Sequence, residues 1–132
     1  MNSTKLLLTI TEGGMILYWI FASLVALDVI LVSPETMYSD YENPTVVAWN
    51  WSFFPLDVTF SVAGLYGRYG KVSGSRQAVL STFSLSLMFC AGLMAISFWI
   101  VVGSFDPFWW GVNLWLMLLA SWVLSRTYLT KK

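Results

Sequence analysis

Histidine is absent from this 132-residue chain, and cysteine occurs once, at Cys90. Histidine is the commonest metal ligand and the commonest general base. Its absence excludes a Ser-His-Asp triad, a zinc site of the usual kind and a His-ligated haem, so neither a metal nor a cofactor is expected. A lone cysteine forms no intrachain disulfide and does not report on redox compartment. Charge is scarce as well: 11% of residues are charged, where a soluble domain carries about 25%. So few charges cannot cover the water-facing surface of a short globular chain, and part of its solvent must be lipid. The net charge is zero and no Lys/Arg cluster occurs, which removes nucleic acid as a partner.

What is plentiful is apolar length. The chain is 58% hydrophobic and 17% aromatic, with a mean hydropathy of +0.70. A spanning helix needs roughly 20 mostly apolar residues, and four stretches supply them, at 6–32, 45–67, 78–103 and 107–129. Ser33-Pro34, Asn43-Pro44, the 70–75 segment and Asp106-Pro107 separate them, and Pro107 sits where a first helical turn tolerates a missing N–H. The expected fold is an all-α membrane four-helix bundle, one domain over 1–132. The first stretch is too long for a signal-peptide core and reads as a retained helix.

All seven basic residues fall on one side of these spans. Lys5 precedes the first; Arg68, Lys71 and Arg76 lie between the second and third; Arg126, Lys131 and Lys132 follow the fourth. The other two connectors carry Glu35, Asp40, Glu42 and Asp106. The positive-inside rule then places both termini in the cytoplasm. Tyr38, Tyr41, Trp49, Phe105, Phe108, Trp109 and Trp110 mark the outer interface, and Tyr66, Tyr69, Trp122 and Tyr128 the inner one. Trp19 and Trp115 fall deeper, where an indole N–H needs a partner. The acidic connector reads as a solvated link, with a cation-attracting vestibule as the alternative.

An ionisable residue inside a span costs about 2.5–3.5 kcal/mol and normally faces the bundle interior. Asp57 lies mid-span, just after Pro55, which removes the helical partner of the Trp51 carbonyl and predicts a kinked second helix. At about 100° per residue, Asn50, Asp57, Ser61, Gly64 and Arg68 share one face. That face points at protein, and Asp57 is either hydrogen-bonded glue or the floor of a ligand or proton site. Glu12 is expected to meet Asp57 or Arg68. Asp28 lies near the outer end of the first span, roughly 160° around the helix from Glu12, with Asn50 and Asn113 as its expected partners. Ala78, Thr82, Ser86 and Cys90 form a small-residue ladder along the third span, with Ala91 and Ala95 as a second pair, and read as close packing.

The stretch from Asn43-Pro44 through Trp49-Asn50-Trp51 to Pro55-Leu56-Asp57, with the Thr11-Glu12 start, resembles small bacterial four-helix membrane proteins of the YvaD type over the whole chain. That resemblance implies a bacterial plasma-membrane location and no particular activity. In architecture and residue type the chain is also similar to the sterol-isomerase and sigma-2-receptor superfamily. This second likeness implies a lipophilic ligand near Asp28, Asp57, Asn113 and Trp110.

The leading expectation is a binding protein. Asp57 is the floor of its cavity, with Asn50, Trp51, Glu12, Asp28, Asn113 and Trp110 as the other candidate ligand residues. The lipid bilayer and a small lipophilic or cationic molecule are the expected partners, and self-association is open. A proton-coupled small multidrug-type transporter using Glu12 is the alternative. A structural or accessory subunit is a further one, for which the ladder would have to face outwards. A membrane isomerase ranks below these.

Overall fold

The structure, a computed structural model, describes residues 2–37 and 40–129. Tyr38, Lys131 and Lys132 lie outside the described residues. Four helices make up the fold: α1 (Ser3–Ala26), α2 (Pro44–Tyr69), α3 (Gly74–Val102) and α4 (Pro107–Leu129), with a 3₁₀ turn at Pro34–Thr36. Among the described residues there is no strand.

Three of the four helix starts have a side-chain cap; Ser73, ahead of α3, makes none. Asn2 caps α1 by accepting the Thr4 N–H at 3.2 Å. Asn43 caps α2 through the Thr45 N–H at 3.0 Å, with Pro44 in the first turn. Asp106 accepts from the N–H groups of Phe108 and Trp109 at 3.0 and 3.1 Å, ahead of Pro107. Such caps satisfy orphan donors that lipid could not hydrogen-bond.

The first helix ends six residues earlier than its apolar run suggests, at Ala26 rather than 32. Asp28 takes a left-handed conformation, φ 56°. Its N–H bonds to the Val25 carbonyl at 3.1 Å, and the Val29 N–H bonds to the Leu24 carbonyl at 2.9 Å. This is the pairing of a Schellman motif, with aspartate where glycine is usual. Gly103, φ 74°, ends α3 in the same way. Helix α2, by contrast, continues through Pro55, so the proline removes one hydrogen bond without ending the element.

The helices run alternately up and down. Thr9 and Tyr69 hydroxyls meet at 2.8 Å at one end of the bundle, where Tyr128 also reaches Thr82. Lys5, Arg68, Lys71, Arg76 and Arg126 gather at that end by connectivity, as does Asp28 with the acidic connector at the other. In that connector Glu35, partial burial and Glu42 hold the Tyr41 phenol above its ordinary pKa. The acidic end is clamped by aromatic rings: Trp49 stacks on Phe98 with centroids 3.9 Å apart and meets Phe53, Trp99 and Trp109 at their edges or tilted.

Helix α1 packs along α2, α2 along α3 and α3 along α4, while α4 meets α1 sparsely. The bundle is therefore a folded row of helices with a seam. The tight α3–α4 packing depends on Gly92, where an added Cβ would lie 2.5 Å from the Asn113 carbonyl oxygen. The buried small positions of α3 are Ser84, Ala91, Gly92 and Ala95. In the expected ladder Ala78, Ser86 and Cys90 are exposed. It is the outer face of α3, the placement that the structural-subunit alternative requires, and the packing is carried by the adjacent register, which includes the expected second pair, Ala91 and Ala95.

Helices α1, α3 and α4 are each long and apolar enough to cross a membrane. Helix α2 is 26 residues long, and its polar residues lower its hydropathy. Those residues, Asn50, Asp57 and Ser61, are buried within the bundle.

Candidate functional site

Two polar layers cross the interior. In the first, Glu12 is wholly buried and ion-paired with Arg68, whose side chain is 10% exposed. Ser84 lies beside them, donating to the Phe60 carbonyl at 2.7 Å and standing 3.4 Å from Glu12 Oε1. Gly64 makes the layer fit, because a Cβ there would overlap the Glu12 carboxylate and lie 2.7 Å from Ser84 Oγ. Of the two partners expected for Glu12, Arg68 is the one it meets. The layer joins α1, α2 and α3 through that ion pair, with Arg68 Nε left buried without a hydrogen-bond partner.

Among the described residues the second layer has no ion pair, and it opens on a cavity. The Trp19 indole N–H donates to Asp57 Oδ2 at 2.9 Å. Asp57 is 6% exposed, and its Oδ1 is buried without a hydrogen-bond partner. Trp19 is fixed by edge contacts with Tyr18 and Phe54 and a tilted contact with Trp51, all with centroids 5.2–5.4 Å apart. The expected polar face of α2 is thus real. It divides in depth, with Arg68 and Gly64 in the ion-paired layer and Asp57 in the open one.

Beside Asp57 lies a cavity of about 370 Å³, within the range of small-molecule sites. It opens along the seam between α1 and α4. Helix α1 contributes Thr11, Gly14, Tyr18 and Trp19, helix α2 Phe53 and Asp57, and helix α4 Trp109, Asn113 and Trp115 among others. Its wall is mostly hydrocarbon and aromatic. Asn113, 5% exposed, uses its amide to reach the Trp109 carbonyl at 2.9 Å. The Trp109 indole N–H lacks a partner. A hydrogen bond crosses the seam, from the Trp115 indole N–H to Thr11 Oγ1 at 3.0 Å. Both deep tryptophans therefore found the partners their depth demands.

Of the seven candidate residues, Asp57 and Asn113 line the cavity together. Trp51 supports it from behind by packing on Trp19. Asn50 is buried, with its Oδ1 unpartnered, on the same face of α2. Glu12 belongs to the other layer, and Trp110 packs on Phe105 at 5.3 Å. Asp28 is exposed beyond the end of α1, which corrects its expected pairing with Asn50 or Asn113: the helix that was to carry it inward ends at Ala26, and Asp28 belongs to the turn that follows. Composition alone did not pick out Gly14, Thr11 and Tyr18. Their spacing along one face of α1 was the available signal.

The arrangement is that of an apolar helical bundle with a partly polar interior cleft. The chain belongs to the family described as a family of unknown function (DUF5360), which matches residues 4–132. It is 38% identical over 119 residues to the "Uncharacterized protein YvaD" of Bacillus subtilis (strain 168), covering 89% of this chain and 86% of that one. The likeness to YvaD-type proteins read from the sequence is thereby shown. No solved structure is significantly similar to it.

Proposed function

We propose that the chain crosses a bacterial plasma membrane four times with both ends in the cytoplasm, and that it binds a small lipophilic or cationic molecule in the α1–α4 cleft. The observation that carries this reading is Asp57, a buried carboxylate that lines a 370 Å³ cavity, with one oxygen held by Trp19 and the other without a hydrogen-bond partner. Buried polar groups are nearly always hydrogen-bonded, and an unpartnered carboxylate oxygen within a span marks a site by default. Three long apolar helices, and a fourth whose polar face turns inward, support the membrane location. The gathering of described basic residues at one end supports the orientation.

The transporter reading needs Glu12 open to a substrate. Glu12 instead engages Arg68, away from the cleft, so this reading is the weaker one. The test is native mass spectrometry of protein released from membranes, wild type beside Asp57→Asn. The expected result is a defined small molecule retained by wild type and lost from the variant. A clean apo protein in both would overturn stable binding.

A further inference from the structure

We propose that a groove between α2 and α3, at the basic end of the bundle, seats one anionic phospholipid, with its phosphate on Arg76 and an acyl chain along the two helices. The proposal rests on the membrane reading above and is independent of the α1–α4 cleft. The groove holds about 370 Å³ and is lined by Tyr66 of α2, Val72 of the connector, and Ser75, Arg76, Val79 and Leu80 of α3. Gly67 lets the two helices close on one another there, since an added Cβ would lie 3.1 Å from Leu80 Cβ.

The head follows from charge. Of the seven acidic residues, Glu12 and Asp57 are buried in the bundle, and the other five belong to the opposite end. Arg68 is engaged by Glu12. Arg76 is exposed at the groove, and among the described residues no carboxylate pairs with it or with nearby Lys71. A guanidinium presents a planar fork of donors that matches phosphate oxygens, and the Ser75 hydroxyl lines the groove beside it. Ser73 leaves the start of α3 without a side-chain cap, so its first N–H groups add to the positive potential there. An anionic head suits this end, whereas a zwitterionic head also brings a cation that the basic residues repel.

The tail follows from the walls. Tyr66 and Val79 are 56% and 68% exposed, and one turn deeper on each helix Val62 and Phe83 are 52% and 48% exposed. Together they make an apolar track from the groove toward the bilayer centre. Tyr66 marks the headgroup level, so a phosphate on Arg76 sits at the depth from which an acyl chain enters that track. A soluble phosphate would use the head contacts and leave the track uncovered, so the occupant is a lipid.

The test is native mass spectrometry of the full chain in detergent, titrated with phosphatidylglycerol or with phosphatidylcholine of the same acyl chains. Wild type is expected to hold its first phosphatidylglycerol about fivefold more tightly, the weight of one basic side chain beside an anionic headgroup. Arg76→Gln is expected to lose that preference with its unfolding midpoint unchanged. Arg126→Gln removes the same charge at the same end, from a side chain that lies over Trp122 instead, and is expected to keep it. Val79→Trp obstructs the track and is expected to weaken both lipids severalfold. Equal binding of the two lipids by wild type would overturn the anionic site, and equal losses in Arg76→Gln and Arg126→Gln would reduce it to diffuse charge. Wild-type binding by Val79→Trp would remove the groove as the seat, and displacement of the lipid by soluble glycerol phosphate would replace the lipid with a free phosphate. Protein that stays monodisperse without detergent would overturn the membrane reading itself, a result distinct from a detergent-dependent protein that shows no lipid preference.

Discussion

The Trp19 indole N–H and the Asp57 carboxylate, 38 residues apart in sequence, meet at 2.9 Å in the interior and tie α1 to α2. The bond takes one carboxylate oxygen and leaves the other without a hydrogen-bond partner, in a residue that lines the cleft. It therefore both holds the bundle and orients the group that the cleft presents.

Trp19→Phe keeps the aromatic contacts and deletes the donor. Loss of a buried hydrogen bond to a charged acceptor is expected to cost about 1.5–3 kcal/mol. Asp57→Asn should cost less, because its amide can still accept from Trp19. A double-mutant cycle by thermal unfolding in one detergent isolates the coupling, expected to be at least about 1 kcal/mol. Additive effects would show that the bond contributes nothing to stability.

The Glu12–Arg68 pair should behave differently, because it is buried on both sides. Removing one partner strands the other charge, so Glu12→Gln is expected to destabilise by roughly 3–5 kcal/mol. Glu12→Gln combined with Arg68→Met should recover most of that loss, since no lone charge remains. The unfolding midpoint of the double variant, compared with each single one, checks this. A double variant as unstable as Glu12→Gln would mean that the pair does more than neutralise itself.

Much of α2 was legible in the sequence because its signals are local. Asn43-Pro44 fixes its start, and a 3.6-residue period puts Asn50, Asp57, Ser61, Gly64 and Arg68 on one face. Which layer each polar residue joins was not legible, because that depends on how far α1 slides along α2. The end of α1 was hidden by the apolar residues after Asp28, with no glycine to mark the turn. On α3 the Ala91–Ala95 pair is buried as its spacing suggests, while the Ala78–Cys90 ladder faces outwards, because small residues lie on more than one face of that helix. The close approach of Gly92 to the Asn113 carbonyl selects the buried register, and it is a property of two helices together.

Asp28 provides a direct check on that helix end. Its left-handed backbone, φ 56°, costs a non-glycine residue about 1–2 kcal/mol, less for aspartate. Asp28→Gly is therefore expected to be neutral or stabilising by up to about 1 kcal/mol, and Asp28→Val destabilising. An inward aspartate paired with an asparagine would give the reverse for glycine, a loss of about 1–3 kcal/mol. Thermal unfolding separates the two.

The sharpest stability contrast lies between two glycines given the same substitution. Alanine is favoured over glycine by about 1 kcal/mol in a helix interior, so propensity alone predicts that Gly14→Ala and Gly64→Ala both stabilise. The surroundings differ. At Gly14 the new methyl enters open space, so the gain should survive as roughly 0.5–1 kcal/mol. At Gly64 it would overlap the Glu12 carboxylate and crowd Ser84 Oγ. Neither group can retreat without disturbing the Arg68 ion pair or the hydrogen bond to Phe60. Overpacking of this kind costs about 1–3 kcal/mol and outweighs the propensity gain. Unfolding midpoints should therefore move in opposite directions, up for Gly14→Ala and down for Gly64→Ala. A rise in both would mean that α1 and α2 are not in close contact at Glu12, and the buried ion-paired layer would have to be redrawn.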